Sequence, residues 1–289
     1  MGNVAIVTDS IACITKEQIE QYGIRVVPIK IVFEDKIYHD GVDLTASEAY
    51  QFLDRAPEKF LTSPSSPADY ASAFRETGAQ ASGILCLTLS SKLSTAFNMA
   101  TVAKEQIKDE LPQTAIEIMD AKTVTATQAL IALAAARAAA QGKELKEVTE
   151  TARLVRERVY AAVALETIRY VYRTGRIPKI AAQVGSKLGV KPILTIYDGL
   201  VHFAGITRTK QHGVDRIIGI MRQRVGTEPV HVAVMHADTL DEGEKLKELV
   251  SSEFNCVELF LTEFSPVMGY ATGRGTLGLA FYALPPESC

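Results

Sequence analysis

The first half of the chain alternates short apolar runs with helical patterns, and this alternation restricts the fold more than any other feature. The runs Val4–Val7, Gly83–Leu87 and Ala115–Met119 show no polar–apolar alternation, which is typical of strands that are covered on both faces. Each run is followed by a helical pattern, the first of them opened by a capping box at Thr15. This order predicts a mostly parallel sheet with helices on both faces.

Further elements are predicted in the same half. Residues Val26–Phe33 are predicted to form one strand, a capping box at Thr45 opens a short helix, and Pro67 suits the first turn of another helix. Ligands of such sheets bind beyond the carboxyl ends of the strands, so polar residues at these ends are expected to share a crevice. The polar residues at strand ends are Asp9-Ser10, Ser90–Ser94 and Asp120.

The second half has a different pattern. A charged helix runs to about Arg158, Asp198-Gly199 marks a hairpin between two apolar runs, and another helix is expected from Pro178. Near the C-terminus, the strand-like runs Val257–Leu261 and Thr276–Ala283 flank a Gly-rich loop. We therefore predict an α/β protein of two domains. Residues 1–155 form a mostly parallel sheet sandwiched by helices, and residues 156–289 form a mixed sheet with helices.

Composition excludes some classes of function. With 34 acidic against 31 basic residues and a net charge of −3, no nucleic-acid partner is expected, because nucleic-acid-binding proteins are normally basic. The four cysteines form no CxxC pair, and neither a signal peptide nor a membrane-spanning segment is recognisable. We expect a cytoplasmic protein with free thiols.

Two hydroxyl-rich segments are the strongest functional signal. The first is LTSPSSP at Leu61–Pro67, and the second is SSKLST at Ser90–Thr95, just after an apolar strand. Both lead into helical patterns, and helix N-termini offer unpaired N–H groups and a partial positive charge. Neither segment has a His or Cys beside it to activate a hydroxyl. The pattern therefore indicates binding of a carboxylate or phosphate and not attack on a bond.

Other motifs indicate neither a cofactor nor a catalytic residue. Gly273–Gly278 matches GxGxxG, but the remaining eleven residues cannot supply the acidic residue of a dinucleotide site. Neither a GxxxxGK[ST] phosphate loop nor a GxSxG hydrolase motif occurs. His231 and His236 are five residues apart around a strand, which places them on opposite faces and disfavours a metal site.

A basic cluster surrounds a Gly turn in the second half. Three interpretations stay open: a solvated face, docking on an acidic partner surface, or contact of Arg176 with a ligand headgroup. The cluster consists of Arg169, Arg173, Arg176 and Lys179.

The order and spacing of several short motifs resemble the DegV family of bacterial fatty-acid-binding proteins. Each motif is weak alone, but together they extend nearly from end to end of the chain. The motifs are Val7–Ser10, Asp40–Val42, Thr62–Ser65, Ser90–Ser94, Tyr170–Ile177, Lys191–Leu194 with Asp198-Gly199, and Gly273–Gly278.

The resemblance implies a fatty acid held in a tunnel between two α/β domains. In the family, a Thr of the first hydroxyl-rich segment and a Ser of the second bind the carboxylate, and here these are Thr62 and Ser94. Their neighbours Ser63 and Ser91, and Arg176, are further candidate ligands. Members often serve as the lipid-carrying subunit of a fatty acid kinase, whose separate ATP-binding subunit phosphorylates the bound carboxylate.

The C-terminal loop departs from the family pattern. The family often has Gly-Thr-His-x-Gly-Pro-Gly there, whereas this chain has Ala271 at the His position and Arg274 at the Pro position. We expect Tyr270 or Arg274 to take over the headgroup contact. The departure leaves open a carrier that has diverged from the kinase pathway.

The main hypothesis is a non-enzymatic carrier that binds a long-chain fatty acid through Thr62 and Ser94 and presents it to a kinase subunit. The alternative is an enzyme that acts on a small anionic substrate in the same crevice. A short polar pocket favours the enzyme, and a long apolar cavity favours the carrier.

Overall fold

The computed structural model describes residues 3–176 and 189–283, with the side chain of Tyr172 left out. Ile177, Lys179 and the predicted helix from Pro178 lie outside the described residues.

The described strands fall into three sheets. In chain order they are β1 Val4–Asp9, β2 Arg25–Val27, β3 Lys30–Phe33, β4 Lys36–His39, β5 Leu61–Ser63, β6 Gly83–Thr88, β7 Ala115–Asp120, β8 Tyr160–Ala164, β9 Lys191–Tyr197, β10 Leu200–Thr207, β11 Val230–His236, β12 Cys256–Glu263 and β13 Leu277–Ala283.

The described helices alternate with these strands over most of the chain. They are α1 Lys16–Tyr22, α2 Ala46–Arg55, α3 Pro67–Gly78, α4 Ala96–Ile107, α5 Ala126–Ala140, α6 Leu145–Arg156, α7 Arg169–Arg173, α8 Lys210–Val225, α9 Leu240–Glu253 and α10 Pro266–Thr272. Two 3₁₀ turns, Ser10–Ala12 and Pro57–Lys59, complete the list.

A four-stranded sheet occupies the first half, in the order β2-β1-β6-β7. All its strand pairs are parallel, as the strand–helix alternation predicts. Strand β6 is buried along its whole length, in agreement with its continuous apolar run. The capping boxes predicted at Thr15 and Thr45 are both present, and each closes the N-terminus of a helix.

The strand predicted over Val26–Phe33 is two strands in two different sheets. Pro28 interrupts it, because proline has no N–H to donate to a ladder. β2 joins the parallel sheet, whereas β3 pairs antiparallel with β4 and β5 in a small sheet of its own. This small sheet brings the first hydroxyl-rich segment, which contains β5, next to β3.

A mixed six-stranded sheet occupies the second half, in the order β10-β9-β8-β13-β11-β12. β9 and β10 form the hairpin that Asp198-Gly199 predicts, with both turn residues at positive φ. Only β11 and β12 pair in parallel among its described strand pairs. The sequence-based fold class, α/β with a parallel and a mixed sheet, is confirmed.

Helix α5 lies between the two sheets and packs against β1, β11 and β13. It is buried around almost its whole circumference, so it has no solvated face. Its many alanines allow close approach of both sheets. Among the described helices, none is long and apolar enough to cross a membrane.

Candidate functional site

An apolar cavity lies between the two halves of the molecule. Its empty space is about 1060 Å³, part of it open to solvent. Most of the lining side chains are aliphatic or aromatic. From the first half they include Ile11, Ile29, Leu89, Leu93 and Val124, and from the second half Val163, Leu194, Ile196, Val201, Phe264 and Met268.

Thr62 reaches the cavity from strand β5. It pairs across the ladder with Ile31, which is fully buried, so both side chains lie on the inner face of the small sheet. Leu61 points to the opposite face and is 59% exposed. The strand thus places the Thr62 hydroxyl on the apolar cavity, and Ser63 and Pro64 also line it.

The other hydroxyls of the first segment bind protein groups. Ser65 is fully buried and donates to the carbonyl oxygen of Pro28 at 2.7 Å. Ser66 caps α3 in a capping box with Asp69. The N-terminus of α3 therefore already has a carboxylate beside it, and this geometry gives no support to the expectation that this helix end binds the ligand. The candidate ligand Thr62 belongs to a strand.

Ser94 reaches the cavity from the turn after β6. This turn is held by hydrogen bonds from the N–H groups of Leu93 and Ser94 to the carbonyl oxygen of Ser90. The Ser94 hydroxyl oxygen accepts from the N–H of Ala96, the first residue of α4, at 3.2 Å. Its hydroxyl hydrogen stays available to donate to a ligand in the cavity.

Ser90 and Ser91 fix this turn in place. The buried Ser90 hydroxyl donates to the carbonyl oxygen of Gly199 at 2.7 Å, and Ser91 donates to Asp120 at 2.5 Å. Lys92 reaches the carbonyl oxygen of Asp198 at 2.8 Å. The turn is thereby tied both to β7 and to the β9–β10 hairpin. Ser91 points to Asp120 and does not line the cavity.

Asp9 joins two walls of the cavity. Its carboxylate accepts from the N–H of Leu89 at 2.7 Å and from the N–H of Ile11 at 3.2 Å, and both of these residues line the cavity. Gln128 of α5 also donates to it at 3.1 Å. Complete burial raises the pKa of Asp9 to about 7, and these hydrogen bonds oppose the rise. Asp9 is therefore a brace behind the wall of the cavity.

Arg176 and Tyr270 both line the cavity. Arg176 is exposed and donates from Nη1 to the carbonyl oxygen of Thr174 at 2.5 Å. Tyr270 stacks on Phe60 with ring centroids 4.8 Å apart. Burial raises the pKa of Tyr270, and the nearby positive charges of Arg176 and Arg173 oppose this rise. Ala271, which stands where the family often has His, also lines the cavity and offers no polar side chain.

Arg274 does not line the cavity. Its guanidinium lies 3.0 Å from Asp238 and 3.4 Å from Asp54, and it stands 5.0 Å from the centre of the Tyr50 ring. These contacts tie the C-terminal loop to α2. The expectation that Arg274 contacts the headgroup has no support from this geometry.

Helix α10 is a part of the site that the sequence reasoning missed. It supplies Val267, Met268 and Tyr270 to the cavity, where only a Gly-rich loop was expected. Its signal was present, since Ser265 caps the helix and Pro266 occupies its first turn. The buried Asp40 accepts from the Val267 N–H at 2.9 Å and from the Ser10 hydroxyl at 2.6 Å, and so connects this helix to the first half.

The protein belongs to the DegV family. The family model, described as an uncharacterised protein of the DegV family, matches residues 3–284. A DegV domain-containing protein of Clostridium acetobutylicum is 31% identical over 287 residues, which cover 98% of this chain and 99% of the relative. Protein DegV of Bacillus subtilis is 28% identical, with 96% of this chain and 98% of the relative covered.

Solved structures share the fold over almost the whole chain. A fatty-acid-binding DegV family protein from Thermus thermophilus has a TM-score of 0.89 at 26% identity, covering 98% of this chain and all of that one. DegV of Bacillus subtilis, a fatty acid binding protein, has a TM-score of 0.87 at 25% identity with the same coverage. A stearic-acid-binding protein from Eubacterium ventriosum has a TM-score of 0.88 at 26% identity, covering 98% of each chain.

Proposed function

We propose that this protein binds a long-chain fatty acid in the cavity between its two halves. The single observation that carries the proposal is a predominantly apolar space whose lining includes the hydroxyl-bearing residues Thr62 and Ser94. Fatty acid binding in the structural neighbours supports the same ligand class. A fatty acid has one small polar end and a long apolar tail, which matches this distribution of side chains.

The tail supplies most of the affinity. Burying one methylene group contributes about 0.8 kcal/mol, so a tail of about fourteen methylenes offers roughly 11 kcal/mol before the ordering costs of binding. A hydrogen bond to a charged carboxylate contributes about 1.5–3 kcal/mol, less its desolvation. Thr62 and Ser94 therefore set the orientation of the ligand more than its affinity.

Arg176 and Tyr270 complete the proposed headgroup contacts. A guanidinium at the cavity lining lowers the energy of an ionised carboxylate, and the phenol hydroxyl can donate a hydrogen bond. Ser63 is a further candidate because it lies beside Thr62 on β5 and lines the cavity. Ser91 and Arg274 are not among the proposed headgroup contacts, because Ser91 binds Asp120 and Arg274 pairs with Asp54 and Asp238.

We further propose that the protein is a cytoplasmic, non-enzymatic carrier of two domains, divided near residue 155, that presents the carboxylate to a separate ATP-binding kinase subunit. This division is supported by the end of α6 at Arg156 and the start of the mixed sheet at Tyr160. The alternative, an enzyme for a small anionic substrate, needs a general base. The described residues that line the cavity include no His, Asp or Glu, and the apolar lining favours the carrier.

The headgroup contacts are tested with the double variant Thr62→Ala/Ser94→Ala. We expect its fatty acid affinity to fall by about ten-fold or more, since two donors to the carboxylate are lost. The matched control is Leu61→Ala/Thr95→Ala, which changes the neighbouring exposed residues. Both are compared by mass spectrometry of co-purified lipid and by titration of delipidated protein. Equal affinity in the two variants contradicts the proposed headgroup site.

The tail position is tested by filling the cavity. Val201 and Leu200 are adjacent on the edge strand β10, but only Val201 lines the cavity, whereas Leu200 is 40% exposed. We expect Val201→Trp to exclude several methylenes and to weaken binding about a hundred-fold. Leu200→Trp keeps the affinity of the unchanged protein. Full occupancy in Val201→Trp, with its fold intact by circular dichroism, argues against a tail in this space.

A further inference from the structure

A second concave space lies behind one wall of the apolar cavity. Its empty volume is about 810 Å³. The two spaces share segments of the chain: Thr123 lines this one and Val124 the apolar cavity, and Tyr197 lines this one and Ile196 the cavity. We call it the basic pocket, and its charged lining residues are Lys122, Arg156, Glu157, Arg158, Asp198 and Arg224.

The cations of the basic pocket lack carboxylate partners. Within residues 3–176 and 189–283, none of the four forms an ion pair. Arginines on the same helices behave differently, since Arg153 of α6 pairs with Glu150 and Arg222 of α8 pairs with Glu253. Four cations against the two carboxylates Glu157 and Asp198 leave the pocket a net positive charge, and clustered like charges repel one another. An anion that enters the pocket removes this repulsion.

Contacts with neighbouring groups hold the three guanidinium groups in position. The guanidinium carbon of Arg224 lies 3.6 Å from the centre of the Tyr160 ring. Arg156 donates to the carbonyl oxygen of Asp120 at 3.3 Å, and Arg158 donates to that of Leu154 at 2.8 Å. Each guanidinium has five N–H groups, so donors remain for a ligand. Groups held in position lose less entropy when a ligand binds.

We propose that the basic pocket binds a small, multiply charged anion of the phosphate class, such as inorganic phosphate, pyrophosphate or a phosphate ester. Guanidinium groups match phosphate oxygens with paired hydrogen bonds. The pocket is concave and receives cations from the β7–α5 connection, the end of α6 and α8, which suits a compact ligand better than a flat macromolecular surface. A bound anion bridges the two halves of the molecule at a place separate from the fatty acid headgroup.

The test is isothermal titration calorimetry with inorganic pyrophosphate in buffer of low ionic strength, where surface electrostatics are least screened. The variant Arg158→Gln/Arg224→Gln removes two cations of the pocket. The control Arg153→Gln/Arg222→Gln removes the same charge from nearby positions on α6 and α8, outside the pocket. We expect one pyrophosphate per unchanged protein, binding about a hundred-fold weaker in the first variant and within about three-fold in the control.

Two results overturn the proposal. One is the absence of pyrophosphate binding to the unchanged protein at millimolar concentration. This result overturns the proposal even if the protein binds vesicles that contain phosphatidic acid. The other is an equal loss in both double variants, which indicates attraction by overall charge and not a pocket. Pyrophosphate binding without vesicle binding supports a soluble phosphate ligand. Because pyrophosphate is titrated into delipidated protein, the result does not depend on fatty acid binding.

Discussion

The two hydroxyl-rich segments resemble each other in sequence but are held in different ways. The first segment contributes β5 to a small antiparallel sheet of the first half, and its Ser65 and Ser66 bind the carbonyl of Pro28 and the N-terminus of α3. Ser90–Thr95 is tied to β7 through Asp120 and to the β9–β10 hairpin of the second half through Gly199. The candidate ligands that line the cavity are Thr62 and Ser63 from the first segment and Ser94 from the second.

This difference shows how a hydroxyl becomes available to a ligand. In both segments most hydroxyls satisfy backbone or carboxylate groups, because buried polar groups need partners. The exceptions are the residues that the pleat of β5 or the turn before α4 directs to the cavity. Variants of the structural hydroxyls are therefore expected to reduce stability and to spare fatty acid binding, and the reverse is expected for Thr62 and Ser94.

The largest effect is expected from Asp9, the brace behind the second segment. Its pKa is about 7 in the folded protein and 3.8 ordinarily. Between these values the folded state binds more protons than the unfolded state, so the free energy of unfolding falls as pH rises. This contribution has a slope of up to about 1.4 kcal/mol per pH unit. We expect Asp9→Asn to remove this pH-dependent contribution. Urea unfolding at about pH 4.5, 5.5 and 6.5 measures the free energy of unfolding and therefore its slope.

Asp43→Asn is the control for this measurement. Hydrogen bonds from His39 lower the pKa of the exposed Asp43, so its contribution is lost only at pH below its ordinary range. Above about pH 4.5, the unfolding free energy of Asp43→Asn should then change with pH as it does in the unchanged protein. Buried Asp40 also has a raised pKa, caused mainly by burial, and contributes a slope of the same sign in every variant that retains it. An unchanged slope in Asp9→Asn contradicts the assignment to Asp9.

A smaller effect is expected from Ser90, which joins the second segment to the β9–β10 hairpin. Ser90→Ala leaves the carbonyl of Gly199 without its donor in a buried junction, at a cost of about 2 kcal/mol in unfolding free energy. Ser91→Ala removes a hydroxyl from an exposed residue and should cost clearly less. Urea unfolding compares the two, and an equal cost indicates that the hairpin contact does not hold this segment.

Much of the fold follows from local sequence signals. The strand–helix alternation, both capping boxes and the Asp198-Gly199 hairpin are confirmed because each depends on residues close in the chain. The small sheet of β3, β4 and β5 was missed, although Pro28 marked the break between β2 and β3. The pairing of β5 with β3 depends on residues about thirty positions apart, and local propensity carries little information on such pairings.

The candidate site was predictable to a smaller extent. The motifs directed attention to Thr62 and Ser94, but both segments contain several hydroxyls, and the sequence does not show which of them face a cavity. Arg274 illustrates the same limit. Its partners are distant in the chain: the packing of α2 against α10 brings Asp54 close, and the pairing of β11 with β13 brings Asp238 close.

The smallest expected effect comes from Ser66 of the first segment. Ser66→Ala removes the cap of α3 and should cost about 1 kcal/mol in unfolding free energy, while Ser66→Thr keeps the hydroxyl and most of the stability. Since Ser66 does not line the cavity, both variants should bind fatty acid as the unchanged protein does, measured by titration after delipidation. If Ser66→Ala loses the ligand and Thr62→Ala keeps it, the first segment acts through the N-terminus of α3, and the division between ligand-facing and structural hydroxyls is wrong.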